Sequence, residues 1–173
     1  MDNGRLTATA ATHIDRHAAV GARPSPSPPS IAGFCPMPDT GRMTTAAQPI
    51  ELRWDKGDSA VTWTYGRDTI TKRYPTAPSS VIAWPDPPSI IVVEANVRQD
   101  SRLDNAAVLN PDGTERLRLR PPDVVRELHH RIGFYVVYAD PCGLVAVFAT
   151  HVGDFWGRPD LRTGELDHVA ASR

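Results

Sequence analysis

The feature that most constrains this chain is a strict alternation of apolar and polar residues from Ile50 to Tyr74, cut twice by glycine turns. Ile50, Leu52 and Trp54 fall on one side of the backbone, and Glu51, Arg53 and Asp55 on the other. Lys56-Gly57-Asp58 interrupts the pattern. Val61, Trp63 and Tyr65 then alternate with Thr62 and Thr64. After Gly66-Arg67-Asp68, Ile70, Lys72 and Tyr74 alternate with Thr69, Thr71 and Arg73. Successive side chains of a strand point to opposite faces, so a period of two predicts strand, turn, strand, turn, strand with one wet face.

Beyond Tyr74 the punctuation is proline. Pro75, Pro78, Pro85, Pro87 and Pro88 bracket Val81 to Trp84. Proline cannot donate to a central ladder, so this piece is read as an edge strand or extended loop. Ile90 to Val97 opens with an unbroken apolar run, the mark of a central strand covered on both faces. Asn110-Pro111-Asp112-Gly113 separates Val108-Leu109 from Leu117 and Leu119. Asparagine suits the first position of a type I turn, proline presets the second, aspartate the third, and glycine the left-handed residue that follows. The four residues therefore read as a corner with a bulge rather than a cation site. Asp140-Pro141-Cys142-Gly143 repeats the form, and Asp160-Leu-Arg-Thr-Gly164 makes a third late turn. One helix is expected over 124–131: Asp123 would cap it, and Val124, Val125, Leu128 and Ile132 would form its apolar stripe.

Residues 1–47 differ in kind. They are rich in Ala, Thr, Ser and Pro around Arg23-Pro-Ser-Pro-Ser-Pro-Pro29. Such a segment buries too little to offset its ordering entropy and is expected to be disordered. Met43 precedes the patterned region closely enough to serve as an alternative start. The Ala8–Val20 stretch is interrupted by His13, Asp15, Arg16 and His17, so it lacks a signal peptide's apolar centre. The remaining 48–173 is read as one β-rich domain. No apolar run approaches the ~18 residues of a membrane span. Lys and Arg number 19 against 20 Asp and Glu, a net charge of −1. No basic run stands out, which disfavours nucleic-acid binding. Two cysteines, Cys35 and Cys142, are too few for a secreted disulfide scaffold, and a reducing, cytoplasmic location is the simpler expectation.

Two stretches carry a likeness. Leu109-Asn-Pro-Asp-Gly-Thr114 is one. Asp154-Phe-Trp-Gly-Arg-Pro-Asp160-Leu-Arg-Thr-Gly-Glu-Leu166 is the other, with the pattern D-x-W followed by D-x-x-T-G-x-L. These hairpins resemble those of small bacterial all-β proteins and of β-propeller repeats. Some of those small proteins resemble immunity proteins, which neutralise a toxin by binding it. The likeness covers about a third of the chain and rests on turn motifs. It implies hairpin architecture and a protein partner, and it carries over no catalytic residue. A closed propeller needs several blades; the chain is read as holding residues for two at most, with no internal period.

The candidates for chemistry are few. His129 and His130 are adjacent on the expected helix and would point apart, His151 follows a strand, and His168 lies near the end; no spacing matches a zinc motif. Cys142 would need a nearby base to act as a nucleophile, and the turn explains its neighbours without one. Asp154 and Asp160 flank an aromatic segment, but Asp160 opens a turn. No phosphate loop, G-x-S-x-G or H-E-x-x-H is present. Trp156 and Arg158 are of the types that dominate interface energetics.

The sequence therefore predicts an all-β domain, an antiparallel meander of about eight strands folded into a small two-layer sandwich or partly open barrel. The functional expectation is a non-enzymatic protein-binding module, immunity-like in the sense the resemblance implies, without a cofactor or metal. Its binding residues would be His151, Asp154, Trp156 and Arg158. Two alternatives stand beside it: a small hydrolase or metal-dependent enzyme using His151, Asp154 and Cys142, and a small-molecule β-barrel whose cavity is lined by Trp63, Tyr65 and Val92.

Overall fold

Turn chemistry divides the described residues into eleven strands. The computed structural model describes residues 48–96 and 102–172; the expectation of a disordered tail over 1–47 lies outside them. β1 (Ile50–Arg53), β2 (Ala60–Tyr65) and β3 (Asp68–Arg73) form the first sheet. β4 (Ser80–Pro85), β5 (Pro88–Val93), β6 (Ala106–Leu109) and β7 (Glu115–Arg118) form the second. β8 (Arg131–Asp140), β9 (Gly143–Thr150), β10 (Gly153–Pro159) and β11 (Leu166–Ala171) form the third. Every pairing is antiparallel between consecutive strands. The first strands of the three sheets, β1, β4 and β8, lie beside one another. The sequence reading allowed residues for two propeller-like units; the described residues build three sheets.

The second sheet lies between the other two. On β5 and β6, Ile91, Val93, Ala106 and Val108 face one way and pack with Phe134, Val137, Leu144, Ala146 and Phe148 of the third sheet. Ile90, Val92, Ala107 and Leu109 face the other way and pack with Val61 and Trp63 of the first. The expected two-layer packing thus occurs twice, back to back. This follows from the apolar run: a strand buried on both faces needs a layer on each side.

Two buried polar side chains fasten the seam between the second and third sheets. β8 is an edge strand, so one side of its backbone lacks a partner strand. Asn105, 2% exposed, donates from Nδ2 to the carbonyls of Glu94 and Phe134, both at 2.7 Å, and its Oδ1 accepts from the Phe134 amide at 2.8 Å. Ser80 Oγ donates to the Val137 carbonyl at 3.0 Å and accepts from the Val137 amide at 3.2 Å.

The helix expected over 124–131 is replaced by a single 3-10 turn, Leu128–His130. Two prolines and two β-branched residues precede it, and Leu128 is 68% exposed, so no packing holds a longer helix. Asp123 does not cap; it pairs with Arg131, whose guanidinium also donates to the Val125 carbonyl.

Candidate functional site

β10 carries most of the residues singled out by the sequence. Phe155 pairs across the sheet with Phe148, and Gly157 with Ala146, both core residues. Directly opposed residues share a face, so Asp154, Trp156 and Arg158 stand on the opposite face, with the buried Val145 and Val147 of β9. Trp156 is half-buried between Val147 of β9 and Ala170 of β11. Arg158 makes a two-pronged ion pair with Asp140, Nη2 to Oδ2 at 2.9 Å and Nη1 to Oδ1 at 3.1 Å. The Arg158 guanidinium holds the Asp140 carboxyl below the usual carboxylate range. Tyr135 Oη donates weakly to Asp154 Oδ2 at 3.4 Å; burial pushes the Tyr135 phenol up, and the Asp154 charge adds to it. The outcome is a fixed row of carboxylate, indole and guanidinium along one strand.

His151 stands apart from that row. It occupies the turn between β9 and β10, exposed, with its amide donating to the His130 carbonyl at 2.8 Å. The rings of His129 and His130 meet edge-on at 4.1 Å, and that of His151 lies 6.4 Å from His130. The expectation that the two adjacent histidines diverge is corrected here. Among the described residues, no group of three or more His, Cys, Asp and Glu is arranged to hold a metal ion.

The enzyme alternative required His151, Asp154 and Cys142 in one cleft. Cys142 and His151 instead flank the eight-residue β9 at its opposite ends, about 30 Å apart at ~3.3 Å per residue. Cys142 is disulfide-bonded, so it offers no thiolate in this state. Among the described residues, no helix is long and apolar enough to cross a membrane. The barrel alternative is changed as well. Trp63 and Val92 are fully buried between stacked sheets, and only Tyr65 of the named trio reaches an opening.

That opening is a cleft of about 640 Å³ between the first two sheets, unforeseen in the sequence. One wall is the end of the β2–β3 hairpin, with Tyr65, Asp68 and Ile70; the other is the Asn110 corner with Asp112 and Arg116. The corner forms as its residues predict. The Gly113 amide donates to the Asn110 carbonyl at 2.9 Å, and Gly113 takes φ 89°. Trp63 Nε1 donates to the Pro111 carbonyl at 2.7 Å, tying the two walls together at their base. Each half reads as a turn in sequence; the cleft exists because hairpins more than 40 residues apart meet, and no local pattern encodes that.

No protein-family model matches the chain, and no curated protein or solved structure matches it.

Proposed function

We propose that the chain is a non-enzymatic binding module whose recognition surface for a protein partner is the Trp156 face of β10. The row of Asp154, Trp156 and Arg158 carries this reading. Aromatic and arginine side chains dominate interface energetics when they are held in place before binding. Arg158 is so held by Asp140. Asp154 and the paired Arg158–Asp140 add a charge pattern that orients a partner. The hairpin likeness to small binding proteins points the same way, and an immunity-like role is its finer form. His151, in the β9–β10 turn, stands apart from the row and would belong to the rim.

The test is affinity capture with the full chain from its native lysate, run in parallel with Trp156→Ala. A stoichiometric protein retained by the native chain and lost with the folded variant supports the proposal. Equal recovery by both removes β10 as the surface.

A further inference from the structure

The cleft between the first two sheets has a polar wall built in advance of any ligand. Arg116 Nε donates to Asn110 Oδ1 at 2.8 Å, and Arg116 Nη2 donates to the Pro88 carbonyl at 2.9 Å. Asn110 Nδ2 reaches Thr114 Oγ1 at 2.9 Å, and Thr114 Oγ1 donates to Asp112 Oδ1 at 2.6 Å. The Thr114 amide donates to the same oxygen at 2.9 Å. A guanidinium and a carboxylate are thus locked on one continuous network, and a locked network loses little entropy on binding. Thr114 keeps Asp112 below the usual carboxylate range, so it is ionised at neutral pH.

Each charge keeps capacity to spare. Among the described residues, Arg116 Nη1 and Asp112 Oδ2 have no hydrogen-bonding partner, and the facing Asp68 carboxylate has neither a hydrogen bond nor an ion pair. Between the charges the lining is apolar: Ile70, Pro88, Pro111 and the Tyr65 side chain. The volume falls in the ~300–1,000 Å³ range of small-molecule sites.

We infer that this cleft binds a small zwitterion with an apolar body, the chemistry of an apolar or aromatic amino acid or a short peptide of such residues. The ligand's carboxylate would meet Arg116, a group suited to planar anions. Its ammonium would meet Asp112 and Asp68. Its side chain would lie on Ile70, the prolines and Tyr65. A simple amine would leave the guanidinium unanswered, and a simple acid would face two carboxylates. The inference is independent of the β10 surface.

The experiment is a ¹⁵N amide-shift titration of the full chain with three probes: L-phenylalanine, phenethylamine, which lacks the carboxylate, and 3-phenylpropionate, which lacks the ammonium. Phenylalanine is expected to move amides within 65–70 and 110–116. The two half-probes are expected to bind about tenfold or more weakly, as loss of one charged pair dictates. Arg116→Gln should reduce phenylalanine to the level of the amine, and Asp112→Asn, which keeps an acceptor for Thr114, to the level of the acid. No shift up to the solubility of phenylalanine, shifts confined to other regions, or equal affinity for all three probes overturns the inference.

Discussion

Asn105→Ala is the substitution with the clearest consequence. The native amide sits at the seam of two sheets and makes three hydrogen bonds of 2.7, 2.7 and 2.8 Å, two of them classed as buried. Alanine removes all three and leaves the Phe134 amide and carbonyl and the Glu94 carbonyl without the side chain that answers them. At about 1 kcal/mol net per bond, the loss is about 3 kcal/mol. Unfolding entropy of ~2.1 cal/mol/K per residue over the roughly 120 described residues gives about 0.25 kcal/mol/K. The expected drop in Tm is therefore about 12 °C. Calorimetry of the full chain measures it, and guanidinium unfolding should show the midpoint falling with the slope unchanged. Asn110→Ala is the comparison: its half-buried amide makes two hydrogen bonds in a turn open to water and should cost about 1–2 kcal/mol. A drop of under about 3 °C for Asn105→Ala would mean that water replaces the amide. The seam would then not be the dry, side-chain-fastened joint described here.

Other substitutions test separate parts of the fold. Tyr74 Oη is buried and has no hydrogen-bonding partner among the described residues, so Tyr74→Phe should leave stability unchanged or raise it by up to about 1 kcal/mol in a thermal melt. Gly164 adopts φ 78°, and a Cβ there would lie 2.5 Å from the Arg118 carbonyl oxygen; Gly164→Ala should cost roughly 2 kcal/mol or more by chemical denaturation. Arg158→Met tests the ion pair through pH. A carboxylate with a depressed folded pKa contributes stability above its unfolded value, near ~3.9, and loses it as pH falls through the folded value. The Tm gap between Arg158→Met and the native chain should be full at pH 7 and close progressively as the pH falls below about 4; a gap independent of pH would show that lost packing, not the Asp140 pair, is its cause.

Local pattern made much of the fold legible. The alternation at 50–74 appears as β1 to β3, the proline-bracketed 81–84 as the edge strand β4, and the apolar run at 90–93 as a strand covered on both faces. The Asn110 and Asp140 corners form turns through the residues that predict them. What failed was weaker or non-local. The stripe at 124–132 has helical spacing, but Leu128 is 68% exposed, so helix nucleation gains little tertiary support. Three layers rather than two follow from which sheet stacks on which, a property of distant residues. The β10 row was legible in part because period two puts Asp154, Trp156 and Arg158 on one face, whereas the Asp140 partner of Arg158 lies 18 residues away. The cleft was invisible for the same reason: Tyr65 and Arg116 are each ordinary residues of a hairpin.

The central claim is that the Trp156 face of β10 recognises a protein. Amide hydrogen exchange of the full chain, with and without the captured partner, tests it most directly. The account predicts added protection over Gly153–Pro159 and the adjoining β9 and β11, with the first sheet unchanged. Protection confined to the first sheet, or a partner that alters no amide of the third sheet, would contradict it.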